Sequence, residues 1–537
     1  MVDHMRYLVT GKQAAEIDRY TIEEIGVPQL VLMERASLAV AQEVENVVQD
    51  RKHDRILVVA EGGNNGGDGV AAARILHQRG YKVSVWALNG ISRQSEAYRK
   101  QVELAEKAGV LFVNPVDDTL TGYRVIVDAI FGVGLTREVI GVQREAAEVI
   151  NRARLASSEL SVIAVDIPSG ISSETGEVLG TAVKADRTVT FGFEKVGMRF
   201  AKEYCGEVSV HEIGFYLPEN FGNVKDPNDK DMTYFTYDKE DIPVLLPRRS
   251  PEGNKGTYGR VLVIAGSEDI YGAAYLAAEA ALRTGCGLVK VVTHENNRNA
   301  ILQMLPEALI STWSEAEKDQ CVAGTEVSDR DPAKVLEDDI RWASVILIGP
   351  GLGQTDTSKH FVETVLRKAT CPVILDADAI NILSEHTDWL TETAGQRPLI
   401  LTPHMLEMTR LTWETLHPER SALDALKKER VEIAKKIAMR YRATVVLKDA
   451  CTVVVDGNTG SESAYLNSSG NGSMAKGGSG AVLTGMIAGL IAQGLSSEDA
   501  ARLGVYVHGL TGDAARKKLG AYSVIARDLI DALSEVL

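Results

Sequence analysis

Short apolar runs alternate with helical patterns from Arg55 onward. "RILVVA" leads into "GVAAARILHQRG", then "YKVSVWAL", a polar helix ending near Gly109, "YRVIVDAIFG" and "LSVIAVDIPSG". Near-continuous Val/Ile runs separated by helices predict a parallel sheet covered on both faces. Residues up to about Leu217 therefore read as one doubly wound α/β unit. Ahead of it, "GKQAAEIDRYTIEEIG" and "QLVLMERASLAVAQEVENVV" carry the helical period and predict two helices. Between Pro218 and Tyr258 the pattern breaks into "PENFGNVKDPNDKDM" and "LPRRSPEGNKGTYG", rich in turn formers and charge, where a domain boundary belongs. Alternation then restarts with "GRVLVIAGS", the helix "GAAYLAAEAALRTG", "GLVKVVT", "SVILIGPGLG", "PVILDADAIN", "PLILTPH" and "TVVLKDACTVVV". Two long helical patterns, starting near Gly480 and Ser497, close the chain. The expectation is two α/β domains, over residues 1–220 and 235–537.

Length and composition fit that division. A chain of 537 residues suits roughly two to four domains, and 45% hydrophobic with 25% charged residues is a globular profile. A net charge of −16 disfavours nucleic acid or anionic membrane as partners, since both are polyanions. Cys205, Cys286, Cys321, Cys371 and Cys451 are odd in number and widely spaced, which argues against a disulfide scaffold or zinc site and for a reducing compartment. The first residues lack an apolar secretory core, and "GAVLTGMIAGLIAQGL" is too short and glycine-broken to span a bilayer. A cytoplasmic enzyme is expected, and a closed homo-oligomer suits its size.

In parallel α/β sheets, ligands bind beyond the carboxyl ends of the strands. Three polar clusters fall there in the first half: "GGNNGGDG", "VDAIFGVGL" from residue 127, and "VDIPSG" from residue 165. Gly62, Gly63, Gly66 and Gly67 would let the backbone approach a ligand, with Asp68 capping the next helix. Singly, each cluster is equally a turn or a helix cap. Together they place carboxylates, amide oxygens and the Ser169 hydroxyl around glycine-lined space, a donor set for a hard cation.

These three clusters resemble the NAD(P)H-hydrate epimerase domain, a Rossmann-like unit. The resemblance implies that the dinucleotide is held by Asn64, Asn65, Gly66, Gly67 and Asp68, by Gly132, Val133, Gly134, Leu135, Thr136, Arg137 and Glu138, and by Asp166, which is also the expected catalytic residue. It implies a potassium ion on Asn65, Asp128 and Ser169. "LMERAS" is similar to that family's early helix motif, with Ser37 in place of the usual glycine.

The second half offers "GPGLG", "LDADAIN", "TPH", "VVLKDACT" and "NGSMAKGGSGAVLTG". Glycines opening an apolar helix expose amides at the positive end of its dipole, a place for phosphate oxygens, with Lys448 and Lys476 as added charges. Packing glycines, and a satisfied loop histidine at His404, are the plainer alternatives. Together the motifs resemble the ribokinase-like NAD(P)H-hydrate dehydratase domain from about Lys255 to the C-terminus. An epimerase followed by a dehydratase is the arrangement of the bacterial bifunctional repair enzymes. The resemblance implies substrate contacts at Ala273, Gly353, His404 and Ala481, with His404 also catalytic. Adenine nucleotide would meet Lys448, Asp449, Ala450, Cys451, Thr452 and Gly480, with magnesium on its phosphates. ADP is implied by the fused bacterial form, and ATP is the alternative.

Three departures stand out. The pattern Gly-Ser/Thr-Gly-Asp reads Gly478-Ser479-Gly480-Ala481, which removes the expected general base, a loss on the order of 10²–10⁴-fold. The usual His-Pro-Gly-Glu reads "HMLE", and the usual Lys-Gly reads Lys448-Asp449. Asp376 and Asp378 are the neighbouring acids that could stand in. Three readings follow: a bifunctional repair enzyme for hydrated NADH and NADPH; an epimerase whose C-terminal half only binds nucleotide; or a small-molecule kinase on the same scaffold.

Overall fold

The computed structural model describes residues 5–49, 51–88, 94–114, 120–218, 221, 232–314, 332–412, 422–458 and 462–537. Cys321 and most of the expected linker around "PENFGNVKDPNDKDM" lie outside the described residues. The chain divides into two compact units, one of residues 7–229 and one of residues 230–537 with 1–6.

In the first unit seven parallel strands lie in the order Leu111–Phe112, Lys82–Ala87, Arg55–Ala60, Tyr123–Ala129, Ser161–Val165, Arg187–Phe191, Glu207–His211. The order reverses direction beside Arg55–Ala60, which is the topological switch point where doubly wound sheets bind ligands. Strand alternation splits the core. Ile56, Val58 and Ala60 join the helices Gln29–Val48 and Asn64–Gln78 on one face, while Leu57 and Val59 join Gly141–Ala156 on the other. Both faces are dry, which is why the strands read as unbroken apolar runs. The expected early helices form as Gly11–Arg19 and Gln29–Val48; a strand, Arg6–Val9, precedes them and pairs through Leu8 and Val9 with Glu194 and Lys195.

In the second unit the strands run Leu309–Trp313, Leu288–His294, Arg260–Ile264, Val345–Ile348, Val373–Leu375, Leu399–Leu401, Ala443–Leu447, all parallel. Val453–Asp456 and Ser463–Leu466 then continue antiparallel, and Thr233–Thr236 pairs parallel with the latter. "TVVLKDACTVVV" is thus two strands reversing at Lys448 to Thr452, where its apolar pattern alone reads as one run. The helix Ser479–Ala492 is apolar all round and buried throughout from Ala481 to Ile491. It packs on Gly272–Thr284, and a side chain at Gly489 would meet Ala281 O at 2.7 Å, so this glycine serves helix contact. Among the described residues no helix is long and apolar enough to cross a membrane.

Candidate functional sites at the strand ends

The helix after Arg55–Ala60 begins at Asn64, earlier than the sequence suggests, with Gly63 as its N-cap. Asp68 is therefore not a cap and lies one turn inside. Gly66 and Gly67 are buried in the first turn, where a side chain at Gly67 would meet Met33 Cε at 2.7 Å. Packing, rather than open backbone toward a ligand, explains these two glycines. Ser37 fits because its Oγ lies 2.7 Å from Met33 O and 2.9 Å from Asp68 O, tying the two helices together.

A cavity of about 520 Å³ opens above these strand ends. Asn64, Asn65, Asp68, Gly132, Val133, Gly134, Leu135, Thr136, Arg137 and Asp166 line it. Gly66, Gly67, Glu138, Asp128 and Ser169 are not among its lining residues. Asp128 is fully buried just behind, its Oδ2 accepting Ser169 N–H (2.8 Å) and its Oδ1 accepting the Ser169 hydroxyl (2.6 Å) and Ile130 N–H (3.3 Å). Burial outweighs these bonds and pushes its carboxyl up to about 6. Among the described residues it has no cationic partner.

Lys195 also lines the cavity, and the sequence reading missed it. Its side chain is 3% exposed, and its ammonium donates to Asp166 Oδ1, to Thr190 Oγ1 (2.7 Å) and to Phe191 O (3.3 Å). A lone lysine in "TFGFEKVG" follows no spacing rule; its preference for a partner when buried was the available signal. Asp166 holds φ +66, a left-handed conformation that is strained for a side-chain-bearing residue and aims its carboxylate at the lysine. Burial first, then the charge of Asp166, raises the carboxyl pKa values of Asp18 and, further, of Asp68. The cavity thus holds one fixed ion pair and two carboxyls whose pKa values are raised.

In the second unit the expected contacts gather at the carboxyl ends of the central strands. Ala273 opens its helix beside the glycine loop, where a side chain at Gly351 would stand 3.1 Å from Ala273 Cβ. Gly353 takes φ +74, and its N–H donates to Asp378 Oδ2 (2.8 Å). Lys448 bridges backbone to His404 and donates through Nζ to Asp376 Oδ1 (2.6 Å). Gly477 has open space around it, and a side chain at Gly480 would come only to 3.5 Å from Lys448 Nζ. The packing alternative therefore fails at both glycines. Gly478 at φ +92 does start the helix, and Ala481 is buried in its first turn.

His404 is otherwise engaged. Its Nδ1 accepts the N–H groups of Leu406 and Glu407 (both 3.1 Å), capping the helix Met405–Leu411. Its Nε2 faces Glu407 Oε1 at 3.1 Å. Desolvation, then Lys448 and Arg410, lowers its pKa, so neither ring nitrogen is free to take a ligand's proton in this arrangement. Asp449 and Ala450 are exposed, and Cys451 and Thr452 are buried. The unexpected charge of Asp449 is met by Arg430 Nη1 at 3.0 Å, which removes much of its repulsion toward a nucleotide. His508 is buried below the helix start, its pKa pushed down to about 4 by desolvation, and its Nε2 lies 3.3 Å from Ser479 Oγ.

Comparisons with known proteins bear on both halves. Residues 29–197 match the family described as YjeF-related protein N-terminus, and residues 261–535 match NAD(P)H-hydrate dehydratase. The bifunctional NAD(P)H-hydrate repair enzyme of Moorella thermoacetica is 36% identical across 99% of this chain and 96% of its own. That of Thermofilum pendens is 35% identical across 97% and 94%. A crystal structure of the ADP/ATP-dependent NAD(P)H-hydrate dehydratase from Bacillus subtilis, co-crystallised with ATP/Mg2+, is 34% identical over 56% of this chain and 96% of its own, with a TM-score of 0.45. Matched in both halves and along nearly its whole length, the chain belongs to the family of bifunctional NAD(P)H-hydrate repair enzymes.

Proposed function

We propose that the two halves repair hydrated NADH and NADPH in sequence. The first half interconverts the R and S hydrates; the second uses ADP to dehydrate the S form. The observation that carries the first step is the cavity at the switch point, which gathers Asn64, Asn65, Asp68, the loop Gly132 to Arg137 and the Asp166–Lys195 pair around one space. There the helix start and loop amides hold the pyrophosphate. Asp166, fixed by Lys195, faces the hydrated ring, and Asp68, whose carboxyl pKa is raised by burial and then by Asp166, lines the same space.

The residues expected to hold potassium fit that ion. They offer side-chain oxygens, and among the described residues the buried Asp128 carboxylate has no countercharge. Bound there, potassium supplies positive charge behind the dinucleotide. In the second half, Lys448, the Lys448 to Thr452 turn and the bare amides at Gly480 suit the phosphates of an adenine nucleotide, while Ala273, Gly353 and His404 flank the nicotinamide side. Magnesium would ride mainly on the phosphates, since among the described residues no cluster of three metal-binding side chains exists. Terminal phosphoryl transfer turns the ring hydroxyl into a good leaving group, and elimination restores the dihydronicotinamide.

The test uses a mixture of both hydrates with ADP and magnesium, following reduced-nicotinamide absorbance. The full chain should restore all of it, and Asp166→Asn should leave the R fraction to react only at the spontaneous rate. An R fraction equally slow with the parent would refute the epimerase assignment.

A further inference from the structure

The first turn of the helix Ser479–Ala492 carries no carboxylate, yet one side chain from elsewhere reaches it. A Cβ placed at Gly480 would lie 3.9 Å from Asp376 Oδ2. The Asp376 side chain is 3% exposed. Its Oδ1 accepts Lys448 Nζ (2.6 Å) and Thr402 Oγ1 (2.8 Å), while Oδ2 accepts no hydrogen bond among the described residues. An oxygen of this kind, in a side chain otherwise sealed and bonded, stays open to a donor that is not part of the protein.

The local backbone holds it there. Asp376 N–H is bonded to Ile348 O (3.1 Å) and Asp376 O accepts Ala379 N–H (3.0 Å), while Ala377 between them sits at φ +47, strained for an alanine. That turn sends Asp378 to the Gly353 loop and Asp376 toward the helix start. Other groups nearby are engaged: His404 and Glu407 with each other, Asp378 Oδ2 with Gly353 N–H, Asp449 with Arg430, and His508 Nε2 with the Ser479 hydroxyl. The absent side chain at Gly480 leaves room for a ligand atom between Oδ2 and the helix amides.

We propose that Asp376 is the general base of the dehydratase half, a role that rests on the nucleotide-dependent reading given above. Oδ2 takes the proton of the substrate hydroxyl as its oxygen bonds to the terminal phosphorus of ADP. The bond from that phosphorus to the bridging oxygen breaks, its electron pair leaves with AMP, and the proton passes to solvent. Lys448 holds Asp376 Oδ1 and stands beside the phosphates. The base thus comes from a strand end instead of the helix itself, which lets Ala481 occupy the first turn.

The experiment measures dehydration of purified S-hydrate by the full chain with ADP and magnesium, together with ADP binding by calorimetry. Asp376→Asn should bind ADP within about fivefold of the parent, lower kcat on the order of 10²–10⁴-fold, and lose the acid limb of the kcat–pH profile. Adding Ala481→Asp to that variant should recover at least tenfold by supplying a carboxylate on the helix. An Asp376→Asn variant within threefold of the parent, its acid limb intact, would overturn the assignment and leave the dehydratase standing. A double variant as slow as the single one, with ADP bound, would overturn it too, by reducing Asp376 to a tether for Lys448. A parent that epimerises but never dehydrates would defeat the assignment and the dehydratase reading together.

Discussion

Both halves place an aspartate against a lysine at the carboxyl ends of parallel strands, but they bury opposite members differently. In the first half the lysine is sealed in: Lys195 is 3% exposed, spans three acceptors, and serves as the floor of a cavity. In the second half Asp376 is the sealed partner and Lys448, at 18% exposed, faces the open helix start. A buried lysine with its donors spoken for fixes geometry, whereas a lysine at the rim can turn toward incoming phosphate. The contrast matches the chemistry assigned to each half, proton movement on a held ring against charge stabilisation of a moving phosphoryl group.

The comparison is broken most easily at the lysines. Lys195→Ala should abolish epimerisation beyond about 100-fold and destabilise the first unit by about 3 kcal/mol, since Asp166 would be left without its partner. Thermal unfolding together with R-to-S conversion measures both. Lys448→Ala should instead show its main loss in ADP affinity, roughly 10- to 100-fold by calorimetry, while R-to-S conversion stays intact. Equal effects on both activities from either change would erase the distinction.

Much of this was legible in the chain, for reasons that differ by region. Val/Ile runs bounded by Asn, Asp and Gly revealed both sheets and the polar clusters at their ends, because strands buried on two faces tolerate little else. The start at Asn64 was obscured because Asn-Asn-Gly-Gly has poor helix propensity and forms a helix only through packing against Met33 and Glu61. The reversal at Lys448 to Thr452 was hidden because Asp-Ala-Cys carries neither Gly nor Pro. Lys195 and the reach of Asp376 arise from tertiary contacts between strand ends far apart in sequence, which no spacing rule encodes.

Smaller effects sharpen the contrast further. His508 is held neutral in the folded protein, with a pKa near 4 against an ordinary 6.5. Below about pH 6.5 the unfolded chain gains a proton that the folded one refuses, so stability falls as pH drops from 6.5 to 4, by up to about 3 kcal/mol. Denaturant melts of the full chain over that range, followed by a probe in the second unit, should show a weaker acid dependence in His508→Gln. Smallest of all, Arg430→Ala frees the Asp449 charge beside the nucleotide and should weaken ADP binding only about two- to fivefold, less at high salt.

The most direct measurement starts from purified R-hydrate alone. With ADP and magnesium the full chain should return it completely to reduced nicotinamide, and without nucleotide it should yield only a mixture of both hydrates. Persistence of the R-hydrate at its spontaneous rate, with ADP present, would contradict a two-step repair enzyme in one chain.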